Sequence, residues 1–222
     1  MITVHHLNNS RSQRVLWLLE ELALPYEIVK YERDPKTLLA PASLRAIHPL
    51  GKSPVITDGD ATLAESGAIL EYLVETYGKC ALAPAPGTPA YRDYRYFMHY
   101  AEGSLMPFLV MKLVFNKIRT DAPLLVRPIA KAIAGQVGRQ FLDPNLASHL
   151  SFLADYLAKH AWFAGDAFSA ADVQMSFVGE VLGAFGRLDA YPNIKAWVKR
   201  FQARPAYKAA LEKGGAYAYG QM

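Results

Sequence analysis

Three short stretches place polar side chains where the backbone is bent or unpaired, and these residues have the means to hold a small ligand. The first is Asn8-Asn9-Ser10-Arg11-Ser12, a polar connection of amides, hydroxyls and one guanidinium. The second is Gly51-Lys52-Ser53-Pro54, which runs into Val55-Ile56. The third is Glu65-Ser66-Gly67, at the start of an apolar helical pattern. A serine at a helix start offers a hydroxyl and free backbone N–H groups to an anion, and the helix dipole adds to the attraction. A neighbouring glutamate pairs with a cation, and a lysine with a second carboxylate. Each feature also has a plain structural use: Ser66 as a cap, Pro54 as a strand-edge proline, Lys52 as a solvated surface charge.

The elements that must position these residues follow from the chain in order. Ile2 to Leu7 reads as a strand. Ser12 reads as the N-cap of a helix whose Val15, Leu16, Leu18, Leu19 and Leu22 share one face, ending before Pro25. Tyr26 to Tyr31 alternates as a second strand, and its connection through a helix predicts a parallel pair with a right-handed crossover. Glu32 to Pro41 is a polar loop, and a short helix covers Ala42 to Ile47. Two short strands then flank the Asp58-Gly59 turn, and a helix runs from Ser66 to about Tyr77. This is the order of a thioredoxin-like domain with a mixed four-stranded sheet.

Leu82 to Pro89 carries three prolines and a glycine and reads as a linker. Beyond it the strand signals vanish. Tyr91 to Phe115 reads as one long helix kinked at Pro107, Pro123 to Phe141 as another, and Asn145 to His160 as a third. Ser169-Ala170-Ala171-Asp172 resembles a capping box that opens an apolar helix to Phe185. Pro192 to Ala203 and Ala206 to Lys213 complete an all-α domain, and the Gly-rich tail after it is left unassigned.

Bulk properties narrow the function classes. At 222 residues, 52% hydrophobic and 20% charged, the chain has the makings of a sizeable core and is globular rather than disordered. A net charge of +4, spread without basic runs, argues against a nucleic-acid partner. No apolar run is long enough to span a membrane and no leader is visible, so a cytoplasmic protein is expected. The single Cys80 fits a reducing compartment and reads as a packed thiol, and the scattered histidines give no metal-like cluster.

Leu50-Gly51-Lys52-Ser53-Pro54-Val55 followed by Leu63-Ala64-Glu65-Ser66-Gly67-Ala68-Ile69 resembles the glutathione-site signature of cytosolic glutathione transferases. Asn8 to Leu16 joins the resemblance, and the rest of the chain follows it in helical character and length. The resemblance implies an α/β thioredoxin-like domain over residues 1–82, a linker over 83–90 and an all-α domain over 91–222, assembled as a homodimer with glutathione as cosubstrate and no metal. It implies that Ser66 meets the γ-glutamyl carboxylate, Glu65 the γ-glutamyl ammonium and Lys52 the glycyl carboxylate. It also implies a cis Pro54 that turns the Ser53 backbone toward the cysteinyl unit.

Activation of the sulfur as a thiolate needs hydrogen-bond donors aimed at it. No Tyr or Cys occurs before residue 26, so Asn9, Ser10 and Ser12 are the candidates for the sulfur contact; Asn9 and Ser10 are taken as catalytic because Ser12 reads as the helix cap, and Arg11 adds positive potential. Asn9 falls where serine stands in the Ser-type members. In that respect the chain resembles a branch that includes glutathione-dependent disulfide reductases and fungal members kept for regulation. Tyr100, Ser104, Met106 and Phe108 are candidates for the second-substrate side, with Tyr217 or Tyr219 closing over from the tail. The expected function is a transferase that turns the glutathione thiolate on a hydrophobic electrophile, in detoxification. The alternatives are a disulfide reductase and a non-catalytic regulatory or hydrophobe-carrying protein.

Overall fold

The computed structural model describes residues 1–37 and 39–220, so position 38 of the expected polar loop lies outside the described residues. Strand β1 (Ile2–Leu7) is the second strand of a four-stranded sheet ordered β2-β1-β3-β4. It pairs in parallel with β2 (Tyr26–Tyr31), Val4 opposite Ile28, and antiparallel with β3 (Val55–Asp58), Val4 opposite Ile56. β4 (Ala61–Ala64) folds back on β3 through the Asp58–Ala61 turn. Gly59 takes φ of 55° there, a conformation glycine adopts without steric cost.

Helix α1 (Ser12–Glu21) crosses from β1 to β2. Val15, Leu16, Leu18 and Leu19 of the expected apolar face are buried, Leu22 just past the helix is partly so, and Ser12, Gln13, Arg14 and Trp17 are buried too, because the helix is enclosed on two sides. One side meets the sheet and α3 (Ser66–Thr76); the other meets the helical half of the chain. The short helix α2 (Ala42–Ile47) lies between β2 and β3.

The helical half carries a π-helical turn just before each of two prolines. Helical backbone runs without a break from Pro89 to Asp121: α4 (Pro89–Tyr100), a π-helical turn over Ala101–Leu105, then α5 (Met106–Asp121). Thr88 caps its start, so helix begins inside the expected linker. Helical backbone is again continuous over α6 (Arg127–Val137), a π-helical turn at Gly138–Leu142, and α7 (Asp143–Lys159). The break expected between Phe141 and Asn145 is absent. In both cases a proline, Pro107 or Pro144, is the second residue after the π turn. Proline has no N–H for the carbonyl four residues back, and the widened turn accommodates that loss without ending the helix.

Helix α8 (Ala170–Ala184) is buried along almost its whole length and forms the centre of the helical half. α9 (Pro192–Gln202) and α10 (Pro205–Gly214) complete it, and α10 packs on α1. Arg204 grips Glu21 with two nitrogens, at 2.6 and 2.8 Å, across the same junction. Trp17 of α1 packs among Phe168, Phe201 and Tyr207. The two halves therefore share one continuous core. No helix among the described residues is long and apolar enough to cross a membrane. Cys80 is exposed, with φ of 57°, and is not the packed thiol its sequence surroundings suggested.

Candidate functional site

The three polar stretches come together at one end of the sheet, where β1 and β4 finish and β3 begins. A cavity of about 270 Å3 is lined by Arg11, Lys52, Ser53, Pro54, Glu65 and Ser66, together with His48, Leu50, Ala64 and Glu102. Its walls therefore come from the loop after β1, the approach to β3, the start of α3, and the π turn between α4 and α5.

The approach to β3 is set by local geometry. Gly51 has φ of 55°, and a Cβ there would stand 2.6 Å from the Arg45 side chain, so only glycine fits. The Ser53–Pro54 peptide is cis, as the resemblance implied. Lys52 is exposed at the cavity rim.

The start of α3 is unusual. Its cap position is held by Glu65 at φ 73° and ψ 122°, with no side-chain hydrogen bond to the first turn. A glutamate in that region carries backbone strain of about 1–3 kcal/mol, and such strain concentrates at ligand sites. Ser66, 3% exposed, is the first helical residue. The first N–H groups of α3 therefore point out of the helix without a capping side chain, the arrangement that receives anions.

The loop after β1 holds a chain of buried polar groups. Ser53 Oγ lies 3.0 Å from Ser10 Oγ, which lies 2.7 Å from Ser12 Oγ, which lies 2.8 Å from His6 Nδ1. The Ser12 N–H also donates to Ser10 Oγ at 3.3 Å. A hydroxyl has one donor and two acceptor sites, so these three partners use the whole capacity of Ser10. Ser12 is not the helix cap; it sits inside α1, and Ser10 supplies the local side-chain bond instead. Burial, with the Lys30 charge second, pushes His6 down to about 4, so its imidazole is neutral at physiological pH.

Asn9 takes φ of 48°, which asparagine tolerates. Its Oδ1 accepts from the Ala218 N–H at 2.8 Å. That bond fixes the orientation of the amide, because the accepting atom must be oxygen, and it leaves the NH2 to donate elsewhere. The tail reaches this point because the Tyr217 hydroxyl donates to buried Glu180 of α8 and Tyr219 stands edge-on to Phe177. Burial raises the Glu180 carboxyl, opposed by hydrogen bonds from Tyr207 and Tyr217.

The four residues expected on the second-substrate side differ in burial. Tyr100 and Met106 are core residues, 5% and 4% exposed, and the Tyr100 hydroxyl meets His149 Nδ1 at 2.5 Å. Phe108 packs on Phe141 and His149 between helices. Ser104 is half-buried on the π turn. Tyr100 and Phe108 both meet His149 of α7. Sequence reasoning missed His48 and Glu102 as cavity-lining residues. Neither sits in a pattern that a linear reading separates from ordinary surface positions.

A four-stranded mixed sheet with a proline-led turn and an open helix start, followed by a helical bundle, defines the class, and the comparisons agree. Residues 1–75 match the glutathione S-transferase N-terminal domain model, and residues 139–205 match the C-terminal domain model. The chain is 37% identical to glutathione S-transferase 3 of Schizosaccharomyces pombe, over 96% of this chain and 88% of that protein. It is 31% identical to glutathione S-transferase 1 of Saccharomyces cerevisiae, over 97% and 96%. A solved glutathione S-transferase from Actinobacillus pleuropneumoniae superposes with a TM-score of 0.78 at 30% identity, covering 99% of both chains. The chain belongs to the glutathione S-transferase family, and it is an enzyme of that family.

Proposed function

We propose that the cavity holds glutathione and lowers the pKa of its thiol, so that the thiolate attacks a hydrophobic electrophile. The observation that carries this reading is the uncapped start of α3, which opens into the same cavity as Lys52 and Ser53. Ser66 and the free N–H groups take the γ-glutamyl carboxylate, and Glu65 takes the ammonium. The Ser53 backbone pairs with the cysteinyl unit, and Lys52 meets the glycyl carboxylate. The sulfur then lies by the Asn9–Ser10 loop. Asn9 is the better donor of the two, because the Ser10 hydroxyl is already saturated while the Asn9 NH2 is not. In the reaction the sulfur forms a bond to the electrophilic carbon, the displaced electron pair leaves on that carbon's leaving group or acceptor, and the thiol proton passes to solvent.

The functional unit in this reading is a cytoplasmic homodimer serving detoxification, with the thioredoxin-like part ending near residue 82 and the helical part beginning with α4 at Pro89. Val110, Leu113, Val114 and Ile118 on α5, with Ile129 and Ile133 on α6, are each at least 44% exposed and form an aliphatic face for a second copy.

The test is glutathione affinity in Glu65→Ala and Ser66→Ala, each expected to weaken binding by about 10- to 100-fold. Unchanged affinity in both variants would remove the proposed site. Ser10→Ala proving more damaging to turnover than Asn9→Ala would reassign the sulfur donor.

A further inference from the structure

Glu102 is the one acidic residue that the helical half contributes to the glutathione cavity. It sits on the π-helical turn between α4 and α5, and such turns recur at functional positions. Its Oε1 accepts from Arg14 Nη1 at 2.6 Å and lies 3.0 Å from Arg11 Nε. Both guanidiniums converge on that single oxygen. Oε2 has no partner among the described residues, and the side chain is 31% exposed. Arg14 is almost completely buried, while Arg11 lines the cavity. The carboxylate is therefore clamped from behind and keeps one oxygen for a ligand.

Its place along the helix brings it to the start of α3. A Cβ on Gly67, the residue after Ser66, would stand 3.9 Å from the Met98 carbonyl oxygen, so α4 passes directly against the first turn of α3. Glu102 is one turn beyond Met98 and shares its side of the helix. It therefore faces the region where Ser66 and the free N–H groups receive a carboxylate.

A ligand end that carries a carboxylate and an ammonium on one carbon needs an anion receptor flanked by acid. The α3 start supplies the receptor, and Glu65 supplies acid from one side. We propose that Glu102 supplies it from the other, as a second recognition residue for the α-ammonium of the γ-glutamyl unit. The cavity then selects an α-amino acid end over a simple dicarboxylate end. This rests on the proposed placement of glutathione and adds to it a specificity residue from the opposite half of the chain.

The experiment is calorimetric titration of the full chain with glutathione and with its analogue lacking the α-amino group, glutaryl-cysteinyl-glycine. The unaltered protein is expected to prefer glutathione by at least about tenfold, the worth of one charge-assisted hydrogen bond. Glu102→Gln should weaken glutathione by about tenfold and leave the analogue unchanged. Glu65→Gln should retain part of the preference, because Glu102 remains; this exposed substitution also decides the matter if Glu102→Gln does not fold. Equal weakening of both ligands in Glu102→Gln would reduce Glu102 to a support for Arg11 and Arg14 and overturn the inference. So would complete loss of the preference in Glu65→Gln. If the unaltered protein bound neither ligand, the placement of glutathione itself would fall. Binding of glutathione with full preference retained in Glu102→Gln would overturn the role of Glu102 alone.

Discussion

Helices α3 and α8 begin with the same kinds of residue and put them to opposite uses. At α8, Ser169 caps the first turn and Asp172 reaches back to the Ser169 N–H at 3.0 Å, so the helix satisfies its own start. Asp172 also accepts from the Phe163 N–H at 2.9 Å and from Trp197 Nε1 at 3.0 Å, tying three segments together. At α3, Glu65 and Ser66 are next to each other, Glu65 holds the cap position at positive φ, and no side chain closes the first turn. Polar groups that find partners within the chain stabilise it. The same groups left open can stabilise a ligand, at a cost to the fold. Which of the two a Ser/acid pair becomes is set by spacing: three residues apart they can close a capping box, and adjacent they cannot.

The largest test of this contrast is Asp172→Ala. It strands four donors in a dry core and should cost about 3–5 kcal/mol in denaturant unfolding, with glutathione affinity of the folded protein unchanged. A pH series sharpens it. Burial raises Asp172 to about 6, above its ordinary value of 3.8, with hydrogen bonds pulling the other way. The native state therefore holds this proton more tightly than the unfolded chain does. The resulting stabilisation, of order 3 kcal/mol, is fully present below about pH 4 and lost as pH rises through about 6. Comparing unfolding of the unaltered protein with Asp172→Asn across that range checks the sign, because the variant cannot titrate there.

On the ligand side the effects are smaller and fall on function. Asn9→Ala should lower kcat about tenfold while changing glutathione affinity little, since in the proposed placement the amide meets the sulfur and not the peptide frame. Steady-state kinetics with an aryl halide separates the two parameters. Glu65→Gly should move stability and function in opposite directions. It relieves the positive φ and raises stability by about 1 kcal/mol while weakening glutathione binding. A thermal melt and a binding titration on one sample would show whether the two change together.

Much of the sheet half could be read from the sequence because its signals are local. The alternation in β2, the Asp-Gly turn and the helix start after β4 lie within a few residues of one another. Ser12 misled as a cap because Ser10, two residues earlier, makes the competing side-chain bond. The helical half was harder to read. The break expected between Phe141 and Asn145 is bridged by a π turn, a second π turn precedes Pro107, and nothing in a linear pattern announces a π turn. Tyr100, Met106 and Phe108 repeat at helical spacing whether they face a cleft or a neighbouring helix, and here they face α7 or the core. Glu102 has no local signature at all. Its place is fixed by Arg11 and Arg14, more than eighty residues away in the chain.

The most direct test of the whole account is the ultraviolet absorbance of the glutathione thiolate bound to the protein, titrated against pH. The account predicts a thiol pKa clearly below that of free glutathione in the unaltered protein, moving back toward the free value in Asn9→Ala. Glutathione that binds with an unshifted thiol would contradict the proposed activation and leave a site that holds the peptide without preparing its sulfur.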